Sequence, residues 1–332
     1  MHPIEYIFPI LSEPKKIFIT THQKPDADAL GSSLGLYHYL IQKGHQVTVA
    51  IPNELPDFLH WMPAIETVLN YESEPKMCEQ AIAASDLIFC LDFNHLSRIK
   101  GLEAPLRAAT QLRVLIDHHL QPEADVFFCG TSNPDKSSTC EMVFDFIRQC
   151  GDEDLINNDI AQCLYTGAMT DTGSFRFPAT TASVHEMIAF FKHRGLEHSV
   201  IHQHVYDSWT ANRMRFIGYA LYNKMDIAPS GKYGIIALSS KDMEPFNLMS
   251  GDTEGLVNYP LSIEGVQVAV LVTEKNGEIK MSFRSKGNID VSTFARTYFN
   301  GGGHFNAAGG RSDLGFDATI EKLKSLIGNI IP

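Results

Sequence analysis

The stretch Leu-Arg-Val-Leu-Ile-Asp-His-His, from Leu112 to His119, decides how the first half of this chain is interpreted. Its first part, 112–116, is apolar apart from Arg113 and is typical of a buried strand of a parallel sheet. Three titratable side chains follow at once, and holding them together at the exit of a buried strand is unfavourable unless a charged group lies among them. A divalent cation meets that requirement, so the stretch predicts a buried strand that ends in metal-binding residues.

Strand and helix patterns alternate on both sides of this stretch. Strands are predicted at 17–21, 46–51, 87–92 and 112–117, and helices at 27–43, 139–149 and 159–169. Such alternation favours an α/β fold with a doubly wound parallel sheet.

The second half of the chain has a different pattern. Strands are predicted at 233–238, 266–273 and 279–285, and helices at 289–299 and 319–330. Asn276-Gly277 predicts a hairpin turn between the last two strands. The histidine-rich segment 180–210 is predicted to be mostly helical, and its irregular histidine spacing favours a connector over a metal site. We therefore expect a catalytic domain at 1–185, a helical linker at 186–212 and a smaller mixed α/β domain at 213–332.

The composition restricts the class of protein. A length of 332 residues is enough for two domains, and 44% hydrophobic with 20% charged residues is typical of soluble globular proteins. The net charge of -12 disfavours binding to long nucleic acid, but it does not exclude a short anionic substrate. We expect no membrane span and no signal peptide, and six scattered cysteines predict free thiols. Together these features favour the cytoplasm.

Acidic and histidine residues recur at four places, each beyond a predicted strand or at a helix end. They are His22, Asp26 and Asp28 at the first place, Asp92 at the second, Asp117, His118 and His119 at the third, and Asp171 at the fourth. Ligands of open α/β sheets bind beyond the carboxyl ends of the strands, so we expect these side chains in one crevice. Carboxylates crowded there would repel one another, and two divalent cations would remove the repulsion.

The residue types also indicate the metal and its chemistry. Mixed oxygen and imidazole ligands suit Mn²⁺, with Mg²⁺ as the alternative, better than a site that selects thiolates. Two such ions about 3.5–4 Å apart can clamp a phosphoryl group.

Each acidic residue also has a simpler explanation. Asp26 can cap the helix that starts at Ala27, and Asp92 or Asp171 can begin a turn. His118 can be a buried histidine with satisfied hydrogen bonds. The occurrence of all four places at strand or helix ends favours the metal interpretation over these separate accounts.

The ordered set H-x-x-x-D-x-D, D, D-H-H and D resembles the DHH phosphoesterase family. The resemblance implies the ligands of two cations: His22 and Asp26 for one, Asp28, His118 and Asp171 for the other, and Asp92 for both. It also implies that His119 lies beside the substrate phosphate and that Asp117 orients a neighbouring histidine. Asp92, Asp117 and His119 are therefore the expected catalytic residues.

The stretch Ser137-Ser138-Thr139-x-Glu141 also resembles one that is common in this family. Its physical explanation is a capping box, in which Ser138 and Glu141 open a helix. We favour the cap as the cause of this pattern.

A glycine-rich motif, Gly301-Gly302-Gly303-His304, follows the helix predicted at 289–299. Glycines allow close backbone approach and expose N–H groups that can hold an anion, although a flexible turn between helices is the simpler explanation. The surroundings are locally basic, with Lys275, Lys280, Arg284, Lys286, Arg296 and Arg311.

Arg284-Ser285 followed by this motif resembles the DHH-associated domain. That resemblance implies that Arg284, Ser285 and the residues Gly301, Gly302, Gly303 and His304 bind the nucleotide part of a substrate. An arginine at such a place can bind a phosphate through two hydrogen bonds.

The resemblance implies a hydrolase of the nano-RNase type. Such an enzyme cleaves short oligoribonucleotides, and 3′-phosphoadenosine 5′-phosphate as a second substrate, to nucleoside monophosphates. The nearest alternative is a cytosolic phosphodiesterase for c-di-AMP or pApA. A family II inorganic pyrophosphatase fits less well because the second domain suits a nucleotide-sized target. A non-catalytic nucleotide sensor is disfavoured by the intact set of ligands, and a homodimer is left open.

Overall fold

A seven-stranded sheet, parallel at every strand pair, lies at the centre of the first half of the chain. The structure is a computed structural model and describes residues 1–249 and 251–331. The strands of this sheet are β1 (His2–Pro3), β2 (Lys16–Thr20), β3 (Gln46–Ile51), β4 (Leu69–Asn70), β5 (Leu87–Leu91), β6 (Leu112–Asp117) and β7 (Cys129–Ser132). Their spatial order is β1-β7-β6-β5-β2-β3-β4. The predicted parallel α/β sheet is confirmed.

Helices cover both faces of this sheet. They are α1 (Ala27–Gln42), α2 (Pro75–Ala84), α3 (Glu103–Ala108), α4 (Thr139–Gln149), α5 (Asn158–Asp171), α6 (Ala182–His193) and α7 (His198–Tyr206). Alternate residues of a strand point to opposite faces. Ile17 and Ile19 accordingly belong to the core that includes side chains of α1, α4 and α5, whereas Phe18 belongs to the core formed with α2 and α3.

The direction of the strand order reverses between β2 and β5. From β2 the chain adds β3 and β4 on one side, and it later adds β5, β6 and β7 on the other. A crevice forms beyond the carboxyl ends of the strands at such a switch point. His22 follows β2 and Asp92 follows β5, so both residues lie at this crevice.

Close contact between α1 and α5 brings two acidic residues together. A Cβ atom added to Gly31 would lie 2.5 Å from the carbonyl oxygen of Cys163, and one added to Gly167 would lie 2.7 Å from the Cα atom of Asp28. Only glycine permits such a backbone approach. The crossing thereby places the start of α1, with Asp28, beside α5, which ends at Asp171.

The chain divides into two compact units, Met1–Ser208 and Trp209–Pro332. Residues 186–208, predicted as part of the linker, pack with the first unit because α6 and α7 bury apolar side chains in its core: Met187, Phe191, Ile201 and Val205. The histidines of α7 also make contacts within this unit. His202 lies 3.0 Å from the Tyr165 hydroxyl, and His204 stacks on Trp61.

The second unit contains a six-stranded mixed sheet. Its strands are β8 (Met225–Ile227), β9 (Tyr233–Leu238), β10 (Val268–Lys275), β11 (Glu278–Ser285), β12 (Gly302–His304) and β13 (Ala307–Ser312). Their order is β12-β13-β11-β10-β9-β8, in which β9 and β10 are parallel and the other neighbours antiparallel. Asn276 and Gly277 both have positive φ angles, 53° and 76°, as the predicted hairpin turn requires.

Helices also pack on both faces of the second sheet. They are α8 (Ala211–Tyr219), α9 (Ser240–Met243), α10 (Asn258–Leu261), α11 (Val291–Tyr298) and α12 (Phe316–Ile327), with a π-helical turn, Ala220–Lys224, after α8. Val270 of β10 shares a core with α11 and α12, whereas its neighbour Leu271 shares one with α8. The smaller mixed α/β domain is confirmed. Within residues 1–249 and 251–331, no helix has the length and apolar character that crossing a membrane requires.

Candidate metal centre

Asp92 lies at the middle of the candidate centre. It follows β5 directly, and its φ angle of 62° is unusual for a residue other than glycine. Its amide donates a hydrogen bond to the Ile116 carbonyl, which holds this turn against β6. One carboxylate oxygen, Oδ2, is 3.3 Å from His22 Nε2, and the other, Oδ1, is 3.5 Å from His118 Nε2. The two oxygens of one carboxylate therefore face two different histidines.

The first group of potential ligands comprises His22, Asp26 and Asp92. His22 Nδ1 lies 2.8 Å from the Gln23 carbonyl, which can only accept, so the proton lies on Nδ1 and Nε2 faces the carboxylates. Asp26 Oδ1 accepts from the amides of Asp28 and Ala29 and caps α1, while Oδ2 lies 3.9 Å from His22 Nε2. The capping and metal explanations of Asp26 are thus compatible, because each uses a different oxygen.

The second group comprises Asp28, Asp92 and His118, with Asp171 next to them. His118 Nδ1 donates to the Lys136 carbonyl at 3.3 Å, which directs Nε2 toward the acids. Its Nε2 is 3.8 Å from Asp28 Oδ2 and 3.5 Å from Asp171 Oδ2. All six predicted ligands therefore converge, and Asp92 belongs to both groups.

The distances between these atoms suit shared ions. Two ligand atoms that each lie about 2.1 Å from one ion are themselves about 3–3.6 Å apart at tetrahedral or octahedral angles. The separations of Asp92 from His22 and His118, 3.3 and 3.5 Å, fall in that range, as does the 3.5 Å between His118 and Asp171. The separations that involve Asp26 and Asp28 are slightly longer, at 3.9 and 3.8 Å.

The electrostatics of the pocket also call for a cation. Burial, reinforced by the charge of Asp92, raises the pKa of Asp28 to about 7. Burial and the charge of Asp28 raise the pKa of Asp171 well above its usual range. Burial alone would raise the pKa of Asp92, but contacts with His118 and His22 hold it well below its usual range. The carboxylates therefore oppose one another's ionisation, and a divalent cation would relieve that repulsion.

The nearest cysteine does not offer a thiolate to this pocket. Burial and the neighbouring carboxylate of Asp28 raise the pKa of the Cys140 thiol well above its usual range. Its sulfur lies 3.6 Å from the Asp28 carbonyl. Oxygen and imidazole donors alone fit Mn²⁺ or Mg²⁺ better than an ion that selects thiolates.

Asp117 and His119 form a pair beside these groups. Asp117 is fully buried at the end of β6, and its Oδ1 accepts a hydrogen bond from His119 Nδ1 at 2.7 Å. His119 Nδ1 is also 3.8 Å from Asp92 Oδ1. The structure therefore brings all three predicted catalytic residues together, with Asp117 fixing the ring of His119.

The start of α4 differs in one detail from the predicted capping box. Ser138 caps the helix by accepting from the Glu141 amide, as expected. However, Glu141 Oε2 accepts from the amide and hydroxyl of Ser137 rather than from the Ser138 amide. The reason is that Lys136 and Ser183 both donate to Oε1 of Glu141, at 2.8 and 2.5 Å, and hold the side chain in that direction.

Sequence reasoning missed the part played by Thr139. Its amide donates to Asp28 Oδ2 at 2.7 Å, and its hydroxyl donates to Asp92 Oδ1 at 2.9 Å. The Cys140 amide donates to Asp28 Oδ1 at 2.9 Å. The signals in the sequence are the family-like stretch 137–141, which contains Thr139, and the position of Thr139 at a predicted helix start, where backbone N–H groups lack helical partners.

In the second unit, Arg284 and His304 lie in register across the sheet. Arg284 in β11 is opposite Ala307 in β13, and Ala307 is opposite His304 in β12. Residues directly opposite one another lie on the same face of a sheet, so both basic side chains share one face. Ser285 is mostly buried: its hydroxyl donates to the Ile289 carbonyl and accepts from Asn306, which holds the following loop.

The glycine-rich motif, for which a flexible turn was the simpler explanation, forms a strand. Residues 302–304 form β12, which pairs with β13. A Cβ atom at Gly301 would lie 2.0 Å from the Gly309 carbonyl oxygen, and one at Gly303 would lie 2.6 Å from that of Ala307. The glycines are therefore required for close strand packing beside His304.

The fold and the centre define an α/β protein with converging carboxylates and imidazoles at the switch point of its parallel sheet. Residues 16–168 match the DHH family, N-terminal domain, and residues 232–330 match the DHHA1 domain. The chain belongs to the DHH family, so the predicted relation to these phosphoesterases and to their associated domain is confirmed, and with it the hydrolase class.

Curated relatives and a solved structure extend the match to nearly the whole chain. The bifunctional oligoribonuclease and PAP phosphatase NrnA of Thermus thermophilus is 30% identical over 315 residues, 92% of this chain and 87% of the relative. A probable bifunctional oligoribonuclease and PAP phosphatase NrnA of Streptococcus mutans is 28% identical over 299 residues, 89% of each. The crystal structure of an exopolyphosphatase-related protein from Bacteroides fragilis has a TM-score of 0.92 and 36% identity, and the match covers 97% of this chain and 94% of that one.

Proposed function

We propose that this chain is a phosphodiesterase and phosphatase that depends on two divalent cations. It hydrolyses short oligoribonucleotides, with 3′-phosphoadenosine 5′-phosphate as a second substrate, to nucleoside monophosphates. The observation that carries the proposal is the placement of Asp92, whose two oxygens face His22 and His118 separately. The names of the Thermus and Streptococcus relatives support the choice of substrates.

The ligands of the two cations follow from the two groups of side chains. His22 and Asp26 would hold one ion, Asp28, His118 and Asp171 the other, and Asp92 both. We propose Mn²⁺ first and Mg²⁺ as the alternative because the donors are oxygens and imidazoles. When bound, two such ions supply Lewis acidity toward phosphoryl oxygens and lower the pKa of water.

The protein prepares these ligands before any ion binds. The Gln23 carbonyl fixes the ring of His22, and the Lys136 carbonyl fixes that of His118. Helix capping by Oδ1 fixes the carboxylate of Asp26. Ligands that are already oriented lose little conformational freedom on binding, which favours affinity.

His119 is proposed to contact the phosphate of the substrate. Asp117 holds its Nδ1 at 2.7 Å, so the ring acts through Nε2, from which it can donate to a phosphate oxygen or to the leaving oxygen. Asp117 is a positioning residue in this scheme because its carboxylate acts through the ring of His119.

The second domain is proposed to bind the nucleotide part of the substrate. Arg284 can form two hydrogen bonds to a phosphate, and His304 lies on the same sheet face one strand beyond Ala307. Of the three glycines before His304, Gly302 leaves room for close approach of a ligand, since an added Cβ atom there would have its nearest neighbour at 4.0 Å. Ser285 holds the loop after Arg284. The net charge of -12 fits a short substrate bound by cations and a few basic side chains better than a long polymer.

A panel of substrates tests this function. Purified protein with Mn²⁺ is given pApA, 3′-phosphoadenosine 5′-phosphate, c-di-AMP and pyrophosphate, and the products are identified by chromatography. We expect AMP from the first two substrates at the highest rates. A preference for c-di-AMP, or cleavage of pApA without 3′-phosphoadenosine 5′-phosphate, would establish the cyclic-dinucleotide alternative. Cleavage of pyrophosphate alone would establish a pyrophosphatase, and nucleotide binding without any hydrolysis would establish a sensor.

A further inference from the structure

The first residue of α4 contacts two carboxylates, one from the start of a helix and one from the end of a strand. The Thr139 amide donates to Asp28 Oδ2, and the Thr139 hydroxyl donates to Asp92 Oδ1. Asp28 lies in the first turn of α1, and Asp92 lies directly after β5. One residue of a third element therefore connects two acids that are 64 positions apart in the chain.

The oxygens that Thr139 contacts are the same oxygens that face His118. His118 Nε2 is 3.8 Å from Asp28 Oδ2 and 3.5 Å from Asp92 Oδ1. The other oxygen of Asp92, Oδ2, faces His22 and receives no hydrogen bond from Thr139. Both contacts of Thr139 thus go to oxygens that face His118, and Asp92 belongs to the other group through its second oxygen, which faces His22.

The hydroxyl of Thr139 has no role in starting the helix. Ser138 is the cap residue of α4 and accepts from the Glu141 amide. Thr139 is fully buried, so its hydroxyl is shielded from water, and it donates to the carboxylate of Asp92. A buried hydroxyl without a hydrogen-bond partner would be unfavourable, and the carboxylate of Asp92 supplies the acceptor for this hydroxyl.

The carboxylate of Asp28 is held on both oxygens. The Thr139 and Cys140 amides are the first two of α4, and they donate to Oδ2 and Oδ1 at 2.7 and 2.9 Å. Amides at a helix start have no helical acceptor and carry partial positive charge, which favours a carboxylate there. The orientation of Asp28 is therefore set by α4 and not by its own helix.

We propose that Thr139 is a positioning residue that fixes Asp28 Oδ2 and Asp92 Oδ1 as a preformed pair for the cation bound beside His118. This inference rests on the proposed function. It assigns Thr139 to one cation, because both oxygens that accept from Thr139 face His118 and the Asp92 oxygen that faces His22 is the other one. Loss of the hydroxyl then weakens binding of the His118-side cation and spares the His22-side cation.

Titration of the metal-free full-length protein with Mn²⁺ tests the assignment, with free Mn²⁺ measured by electron paramagnetic resonance. We expect two sites in the wild type. In Thr139→Val, which keeps the shape of the side chain, one affinity stays unchanged and the other falls about 10–100-fold, as is typical when a partner of a ligand is removed. Thr139→Ser restores the hydroxyl and should restore the weakened site.

Control variants separate this effect from a general loss of stability. Thr319→Val removes a fully buried hydroxyl in the second unit, which donates to Ser312, and should leave both Mn²⁺ affinities at the wild-type values. If Thr139→Val does not fold, as judged by circular dichroism, Thr139→Ala takes its place. If each site binds Mn²⁺ as tightly in the variant without the hydroxyl as in the wild type, the inference is wrong but the proposed function stands. A wild type that binds no Mn²⁺ would instead overturn the proposed function.

Discussion

Asp92 is the residue on which the candidate centre depends most. Its left-handed backbone conformation, with φ at 62°, is one that a non-glycine residue rarely adopts and that costs about 1–3 kcal/mol. Hydrogen bonding of its amide to Ile116 maintains this conformation. Unusual backbone conformations of this kind concentrate at functional sites, in agreement with a carboxylate shared between two groups of ligands.

Replacement of Asp92 tests its shared position. Asp92→Asn keeps the shape of the side chain but removes its charge, so we expect the loss of at least one bound metal ion. Hydrolysis should fall by at least about 100-fold, because a catalytic cation supplies several kcal/mol of transition-state stabilisation. Elemental analysis and an assay on pApA measure both effects. The exposed Asp125 offers a control, Asp125→Asn, which should behave as the wild type, whereas two metal ions retained in Asp92→Asn would refute the shared position.

The convergence of Asp92 and Asp117 was predictable because both residues lie at strand ends. Asp92 and Asp117 follow apolar runs directly, and parallel strands deliver such residues to one edge of the sheet. The part of Thr139 was not predictable, since half of its contribution comes from a backbone amide that every residue except proline has. The roles of Gly31 and Gly167 could not be predicted either, because they depend on the contact between α1 and α5 in the fold.

At the scale of elements, the start of α4 is fixed by a buried acid. Glu141 is 1% exposed and accepts four hydrogen bonds, two from Ser137 and one each from Lys136 and Ser183. Lys136 in turn holds His118 through its carbonyl oxygen. The network therefore connects α4 and α6 to the loop that orients one of the predicted ligands.

Glu141→Gln should destabilise the protein in a pH-dependent way. Burial alone would raise the pKa of Glu141, but hydrogen bonds from Lys136, Ser183 and Ser137 lower it below its usual value. The stabilisation is therefore fully present above the unfolded-state pKa of about 4.3 and is lost as the pH falls toward the folded-state pKa. At pH 7 we expect a loss of about 1.5–3 kcal/mol of unfolding free energy in urea titrations, with a smaller difference near pH 3.

A surface acid provides the comparison for this measurement. Glu153 makes an exposed ion pair with Arg148 at 3.4 Å, so Glu153→Gln should change the unfolding free energy by less than about 1 kcal/mol. A loss in Glu141→Gln that is equally small, or that is the same at both pH values, would argue against the network.

Longer elements were predicted within a few residues, and short ones were not. The sequence predicts β3, β6, β9 and α4 with the bounds that the structure has, because five or more residues display a clear period. Strands β1, β4 and β7 have only two to four residues, too few for a pattern. β12 was mistaken for a loop because glycine has no side chain with which to show an alternation. The histidines of α6 and α7 made this segment look polar, although both helices bury apolar side chains in the core of the first unit.

At the scale of the whole molecule, the two units have different proposed roles. The first unit contains the candidate ligands of the cations, and the second contains Arg284 and His304 on one sheet face. Substitutions of Arg284 or His304 should therefore affect substrate binding and leave the metal content unchanged.

Arg284→Ala tests that division. Loss of a charge-assisted hydrogen bond to a phosphate, worth about 1.5–3 kcal/mol, should raise the KM for pApA about 10–100-fold while two metal ions remain bound. Arg311→Ala is the matched control, since Arg311 lies in β13 opposite Lys280, four positions from Arg284 along β11. Steady-state kinetics with elemental analysis measures both quantities, and an unchanged KM would exclude Arg284 from substrate binding.

The most direct test of the central claim is an anomalous difference map from crystals grown with Mn²⁺. We predict two peaks about 3.5–4 Å apart. One should lie against His22 and Asp26, the other against Asp28, His118 and Asp171, with Asp92 between them. A single peak, or two peaks that do not share Asp92, would contradict the account.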